Sequence, residues 1–108
     1  MRPRGRPKKY RIIRQDPRIT QFSPRGKPGR PDELSLSMDE YEAMRLTDYM
    51  ELPQKEAAQS MRVSQQTFSR ILKQARRKIA NSIVLGKIIR IQGGYYIIST
   101  KNNPESST

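Results

Sequence analysis

Between residues 65 and 77 the chain carries a regularly spaced set of polar and basic side chains. The set comprises Gln65, Gln66, Ser69, Arg70, Lys73, Arg76 and Arg77. On an α-helix these positions share one broad face, because one turn takes three to four residues. Glutamine can bond an adenine edge in two places and arginine a guanine edge, while serine, lysine and arginine also bind phosphates. The pattern therefore predicts a helix face that can contact double-stranded DNA.

The other side of the same segment is apolar. Its members recur at helical spacing and are Phe68, Ile71, Leu72, Ala75 and Ile79. They predict a helix from Gln65 to Leu85, roughly 30 Å long, with Ser64 as its N-cap and Gly86 as its C-cap. Ahead of it, Ala57, Ala58 and Met61 predict a shorter helix from Gln54 to Met61. Its small alanines let the second helix cross closely, as in a helix-turn-helix.

These residues carry a resemblance. The run Gln54-x-x-Ala-Ala-x-x-Met-x-Val-Ser-x-x-Thr-Phe-Ser-Arg70 resembles the helix-turn-helix of DNA-binding regulators, most closely region four of bacterial sigma factors. The span from Met38 to Gly94 is similar to domain of unknown function 134, a family of small prokaryotic proteins expected to bind DNA. The shared segments are Asp39-Glu-Tyr-Glu-Ala-Met-Arg-Leu46, Ala75-Arg-Arg-Lys-Ile79, Gly86-Lys87, Arg90-Ile-x-Gly-Gly94 and the upstream Phe22-Ser-Pro-Arg-Gly-Lys-Pro28. The resemblance implies a fold and DNA binding, but no target.

The turn before Val63 departs from the usual pattern. Most such turns place glycine there because the backbone is left-handed, whereas this chain has Arg62. A left-handed residue with a side chain costs on the order of 1 kcal/mol. Either the turn bears that strain or it has another shape. Arg62 can grip a phosphate or simply be solvated, and the sequence favours neither.

The predicted DNA contacts therefore divide by role. Base edges are assigned to Gln65, Gln66, Ser69 and Arg70, and Lys73 is shared between base and phosphate. The remaining predicted contacts on this unit are Arg62, Ser64, Thr67 and Arg77, and Thr67 can serve either a phosphate or the helix cap.

Residues 1–31 are predicted to form an extended basic arm, because prolines recur and few apolar residues could anchor a core. The segment from Pro3 to Lys9 resembles an AT-hook. Gly5 permits close approach to the minor groove, while Arg4 and Arg6 match its negative potential. The alternative is a basic tail that grips phosphates. Tyr10 to Ile13 can form a small strand or a docking segment, and the cysteine that many family members carry near Tyr10 is absent.

Charge supports a polyanionic partner. The net charge of the 108-residue chain is +12, and residues 62–94 hold eight Lys or Arg and no acid. Residues 31–61 are acidic. The chain has no Cys and no His, so disulfides and thiolate or imidazole metal sites are excluded. We expect no catalytic site, no metal and no cofactor. Without a signal peptide or a membrane-length apolar run, a cytoplasmic protein is expected.

The remaining elements complete the expected architecture. Ser37 and Glu40 form a capping-box pattern that opens a helix over residues 38–50. Gly93 and Gly94 predict a β-hairpin over residues 87–100 that pairs Ile91 with Tyr96 and Ile89 with Ile98. The expected fold is mainly α. It consists of a basic arm over 1–31, a helix-turn-helix three-helix core over 32–86 with a long recognition helix, the hairpin, and a flexible tail over 101–108.

These features predict a sequence-specific double-stranded DNA-binding protein that regulates transcription, with residues 65–80 in the major groove. The alternative is an RNA-binding or architectural basic protein without base readout. Tyr95 and Tyr96 are its paired candidates for base stacking. Two partner questions stay open at this level. A homodimer could form through the hairpin or the long helix, and the acidic first helix could touch RNA polymerase.

Overall fold

The computed structural model describes residues 10–26 and 29–100, and in these ranges the chain is rich in helix with short strands. The helices are α1 (Met38–Met44), α2 (Gln54–Met61) and α3 (Gln65–Leu85), and α1 continues as a π-helical segment over Arg45–Tyr49. The strands are β1 (Arg11–Ile13), β2 (Gln21–Phe22), β3 (Glu33–Leu36), β4 (Ile88–Ile91) and β5 (Tyr96–Ile98). The AT-hook-like Arg4, Gly5 and Arg6 and the tail over 101–108 lie outside the described residues.

Helix α1 begins where the sequence predicts it. The Ser37 hydroxyl accepts a hydrogen bond from the Glu40 backbone N–H at 3.3 Å, and the Glu40 carboxylate accepts one from the Ser37 N–H at 2.9 Å. This reciprocal pair satisfies two backbone donors that the helix start leaves without partners. With its π-helical continuation, the helix ends at Tyr49, so the predicted span of 38–50 is confirmed.

The connection between α2 and α3 consists of Arg62, Val63 and Ser64. Arg62 is left-handed, with φ 59° and ψ 44°. Of the two possibilities that the sequence allowed for this turn, the structure has the strained left-handed backbone at Arg62. Ser64 caps α3 by accepting a hydrogen bond from the Thr67 N–H at 3.0 Å, and the left-handed Gly86 ends the helix. Both helices have the predicted bounds.

The core lies where the three helices meet the strands. Phe68 and Ala75 of α3 and Ala57 of α2 are completely buried. The small side chains let the backbones approach closely, while Phe68 fills the space between helices. The other buried apolar residues are Ile13, Leu36, Met38, Ala43, Leu46, Ala58, Met61, Ile71, Leu72 and Ile91. This packing fixes α3 along one side and leaves its other side exposed.

The predicted C-terminal hairpin is wrong, although both of its strands exist. β4 is the middle strand of a sheet with the order β2–β4–β3, antiparallel to β2 and parallel to β3. β5 instead pairs in parallel with β1, so that Tyr96 lies opposite Arg11. Neither Ile91 nor Ile89 pairs with β5. Both strands satisfy their backbone groups on strands from the N-terminal third of the chain.

The segment that contains Gly93 and Gly94 crosses the start of α1 and does not form a hairpin turn. The Gly93 carbonyl accepts a hydrogen bond from the Met38 N–H at 3.0 Å, and the Gln92 N–H donates to the Leu36 carbonyl at 2.9 Å. A Cβ on Gly94, where φ is +98°, would lie 3.2 Å from a carboxylate oxygen of Asp39. The glycines therefore carry the chain across the start of α1. Sequence patterns that count only neighbouring strands do not predict such a path.

The predicted arm also extends too far along the chain. β1 and β2 lie within residues 1–31, yet each strand belongs to a sheet. Ile13 is completely buried and Arg14 is nearly so. Of the two readings for Tyr10 to Ile13, the small strand is correct. The predicted arm is too long because β1 and β2 pair with β5 and β4, and these partners lie far away in the sequence.

Candidate nucleic-acid interface

The polar face of α3 is exposed along the first three turns of the helix. The exposed predicted contacts are Gln65, Gln66, Ser69, Arg70, Lys73 and Arg77, and Arg62 and Ser64 before the helix are exposed as well. Because Phe68, Ile71 and Leu72 are buried on the opposite side, the helix cannot rotate without exposing them. The fold therefore brings these side chains together on one rigid element.

Ser64 and Thr67 are already engaged with each other. The Ser64 hydroxyl donates to Thr67 Oγ1 at 3.0 Å while it caps the helix, and an Arg70 guanidinium nitrogen lies 3.5 Å from the same Thr67 oxygen. Thr67 is half-buried. Of the two roles predicted for Thr67, the geometry favours support of the helix start and orientation of Arg70.

Salt bridges divide the cations of α3 into two groups. Arg76 donates to both Asp48 carboxylate oxygens, at 3.2 and 2.6 Å, and these hydrogen bonds raise the pKa of Arg76. Lys78 Nζ lies 2.8 Å from Glu40 Oε1. Within residues 10–26 and 29–100, by contrast, no carboxylate forms a salt bridge with Arg70, Lys73 or Arg77.

A small cleft lies at the turn between α2 and α3. Its lining residues are Tyr10, Arg11, Arg62, Val63, Ser64 and Thr67. The Tyr10 ring packs at a tilt against that of Tyr95, with 6.0 Å between centroids. Sequence reasoning missed Tyr10 and Arg11 here, since only the packing of β1 against α2, together with its pairing with β5, brings them to this turn. The AT-hook-like residues directly precede Tyr10 in the sequence.

The same turn is crowded with positive charge. Burial lowers the pKa of Arg14, the nearby positive charge of Arg62 lowers it further, and Glu42 opposes both effects. Arg11 reaches Asp39 at 3.1 Å. Arg11 and Arg14 therefore each lie near an acid, whereas no salt bridge within residues 10–26 and 29–100 involves Arg62, which favours an anionic partner for Arg62 at this end of α3.

The acids of α1 face inward rather than toward solvent. Glu42 is completely buried and accepts hydrogen bonds from the Arg45 guanidinium at 2.8 and 3.0 Å and from the Arg14 N–H at 2.9 Å. Asp39 and Glu40 are also buried and paired, with Arg11 and Lys78. Their predicted role in capping is confirmed for Glu40. As a surface for RNA polymerase, however, α1 offers little exposed acid.

The described part of the chain contains no group of three or more acidic, cysteine or histidine side chains that could hold a metal ion. None of its helices combines the length and apolar character needed to cross a lipid bilayer.

The chain belongs to the family described as protein of unknown function DUF134, whose model matches residues 1–99. It is 45% identical over 100 residues to a UPF0251 protein of Methanococcus maripaludis strain C5, which covers 92% of this chain and 77% of the relative. It is 47% identical over 92 residues to a UPF0251 protein of Thermoanaerobacter pseudethanolicus, which covers 84% of this chain and 78% of the relative. No solved structure matches the chain.

Proposed function

We propose that the protein binds double-stranded DNA in a sequence-specific manner and regulates transcription. In this proposal α2, the left-handed turn at Arg62 and α3 form a helix-turn-helix, and residues 65–80 enter the major groove. One observation carries it: the exposed face of α3 combines base-reading side chains with cations that no carboxylate of the described chain neutralises. Such a face on a rigid helix is what direct readout needs.

The first two turns of α3 supply the base-reading side chains. Gln65, Gln66 and Ser69 are exposed and uncharged, so they can hydrogen-bond base edges without a desolvated charge. Arg70 directly follows Ser69, and the Thr67 hydroxyl can orient its guanidinium for a guanine edge. Lys73 and Arg77 follow on the same face and are placed to meet phosphates. We therefore assign specificity to the start of the helix and affinity to its middle.

The basic arm would extend this contact into the minor groove. The arm joins the fold at Tyr10, which lines the cleft beside Arg62 and the start of α3. Nine extended residues reach at most about 30 Å, enough to cross a phosphate backbone from that point. Arg4, Gly5 and Arg6 could then occupy an A·T-rich minor groove, or grip phosphates as a general basic tail.

The proposal is tested by selecting bound duplexes from a random DNA pool with the full-length protein. We expect a defined motif, and we expect Gln66→Ala and Arg70→Ala to lose affinity for it. Matched controls are Gln59→Ala on α2 and Arg90→Ala on β4. They remove a glutamine and an arginine that lie away from this face. A pool without a motif, or equal losses in the controls, would overturn base readout. Loss of a flanking A·T tract on deleting residues 1–9 would support the minor-groove arm.

One observation favours the alternative of RNA binding. The Tyr10 and Tyr95 rings are about half exposed and lie against each other beside the basic turn. Exposed aromatic side chains next to cations can stack unpaired bases. Competition between duplex DNA and single-stranded RNA separates the two functions. If Tyr95→Ala weakens RNA binding while Arg70→Ala leaves DNA binding unchanged, the RNA function replaces the first proposal.

Homodimer formation through the long helix remains a proposal that rests on the last turn of α3. Ile83 and Val84 are 72% and 80% exposed there, which is unusual for large apolar side chains side by side. Pairing two copies would cover them and would present two recognition helices to two half-sites. Sedimentation of the full-length chain tests it, and a monomer at micromolar concentration contradicts it.

A further inference from the structure

A basic groove runs along one side of α3, beyond the segment that resembles a helix-turn-helix. Its volume is about 550 Å³. Arg70, Lys73, Arg77 and Asn81 recur along α3 at intervals of three or four residues, so they form one wall of the groove. Leu34 of β3 and Lys87, which follows α3, also line the groove. The groove is therefore built by the docking of α3 on the sheet.

Most of the cations in this groove have no counter-charge in the described structure. No carboxylate lines the groove, and no salt bridge within residues 10–26 and 29–100 involves Arg70, Lys73, Arg77 or Lys87. Lys78 is the exception, because its ammonium group contacts Glu40 Oε1 at 2.8 Å and the Ser35 carbonyl at 3.1 Å. Lys78 thus ties α3 to α1 and β3, and the other cations remain available.

We propose that this groove holds one sugar–phosphate strand of the DNA duplex, and that Lys87 and Asn81 are phosphate contacts. The inference rests on the proposed DNA binding and extends it to Asn81 and Lys87, which lie beyond the residues 65–80 assigned to the major groove. From Arg70 to Asn81 the wall is about 16 Å long, at 1.5 Å per residue. That length suits several consecutive phosphates rather than one small anion. Lys87 adds a charge from the segment after α3, so a strand in the groove would meet cations from two elements.

The chemistry of the lining suits a backbone contact. Lys73 and Lys87 are compact charges that bind phosphates without selecting a base, and the arginines of the groove can bind phosphates as well as base edges. Leu34 is half-buried in the groove wall and can lie against a deoxyribose. Arg70, which is assigned to a guanine edge, is the first groove residue along α3 and the one nearest in sequence to Gln65 and Gln66. The rest of the groove then sets how α3 is placed on the duplex, and the helix start reads the sequence.

The test compares Lys87→Gln with Arg90→Gln in full-length protein. Each removes one positive charge, but Arg90 is already paired with Glu33 and lies outside the groove. The dissociation constant for a selected duplex and for an unrelated duplex is measured across a salt series. We expect Lys87→Gln to weaken binding to both duplexes by the same factor and to reduce the slope of log K against log salt by about 0.9, the value for one lost phosphate contact. Arg90→Gln should keep the wild-type slope.

A second variant guards against effects of Lys87 on folding, since this residue is half-buried. Asn81 is exposed, and Asn81→Glu places a carboxylate in the groove. We expect it to weaken binding to both duplexes, while Asn81→Gln binds as the wild type does; thermal unfolding checks that each variant is folded.

The outcomes separate this inference from the proposal beneath it. If the slope of log K against log salt is that of the wild type in both Lys87→Gln and Asn81→Glu, the groove does not hold a phosphate strand, although DNA binding itself is not contradicted. Absence of salt-dependent duplex DNA binding by the wild-type protein overturns the proposed function itself. If both variants weaken binding to structured RNA and leave binding to DNA unchanged, the groove is an RNA site and the inference fails.

Discussion

Helices α1 and α3 are both strongly charged in sequence, yet the fold uses their charges in opposite ways. Asp39, Glu40 and Glu42 of α1 are all buried and paired inside the protein. Arg70, Lys73 and Arg77 of α3 are all exposed, and the described structure gives them no acidic partner. A charge run in the sequence therefore does not by itself identify a binding surface.

The difference lies in where each helix sits. α1 lies between β1 and α3, so its polar face is covered and its acids must find partners or be neutralised. α3 covers the core with one side only, and its cations repel one another in the absence of a ligand. Bound DNA would relieve that repulsion. The acids of α1 thus hold the fold together, whereas the cations of α3 favour a partner.

The largest effect is expected from breaking the pairs of α1. Glu42→Gln removes the carboxylate that pairs with the buried Arg45, and loss of one partner of a buried ion pair typically costs about 3–5 kcal/mol. We expect a drop of that order in the free energy of unfolding, measured by urea denaturation. Glu56→Gln on the exposed face of α2 is the control and should change little. Equal losses in the two variants would show that the α1 network is not specially stabilising.

The next largest effect is expected from α3, and it should appear in binding rather than stability. Arg70→Ala removes an exposed guanidinium that is placed to bond a guanine edge, a contact worth about 1–3 kcal/mol of discrimination. Affinity for the selected duplex should fall by that amount, measured by fluorescence anisotropy, and the melting temperature should stay unchanged. A large fall in melting temperature would instead assign Arg70 to the fold, and the contrast with α1 would disappear.

Arg62 combines features of both groups of charges. Its backbone is strained by the fold, and its side chain is exposed and available to a partner. Arg62→Gly relieves a left-handed backbone that costs on the order of 1 kcal/mol, so the free energy of unfolding should rise by up to about that amount. DNA binding should weaken, with the salt slope reduced by about 0.9, because Arg62 lines the cleft at the start of α3. Arg62→Lys, the control, keeps both the strain and the charge. An unchanged salt slope in Arg62→Gly would mean that Arg62 is merely solvated.

Local patterns predicted the helical part of the fold well. The capping box at Ser37, the cap at Ser64 and the left-handed Gly86 fixed helix ends through hydrogen bonds and dihedral angles that depend on neighbouring residues. The apolar stripe through Phe68 and Leu72 fixed which side of α3 is buried. Once the buried side was known, the exposed candidate site followed from the period of the helix.

Long-range pairing could not be predicted in the same way. Two glycines between β-rich segments favour a hairpin, but β4 and β5 pair with strands that lie more than 50 residues away. The strands of the N-terminal segment are two to four residues long, too short for a clear alternation of apolar and polar residues. The groove beside Lys87 and the cleft beside Tyr10 both depend on those pairings. Sequence alone therefore predicted the exposed polar face of α3 but not the surfaces next to it.

The smallest effect is expected from Glu33, whose acid is exposed and paired, a case between those of α1 and α3. Hydrogen bonds from Arg90 at 3.2 and 2.9 Å hold the pKa of Glu33 below its ordinary value of 4.5. A carboxylate with a lowered pKa stabilises the folded state above its unfolded pKa, and that contribution is lost as the pH falls through the lower, folded value. Because the pair is solvent-exposed, the contribution is small and is screened by salt. At low salt, we expect the melting temperature to fall slightly less between pH 7 and pH 3 for Glu33→Gln than for the wild type. In 1 M salt this difference should vanish. The same fall in both proteins at low salt would mean that exposed pairs on the sheet, unlike the buried pairs of α1, do not contribute to the fold.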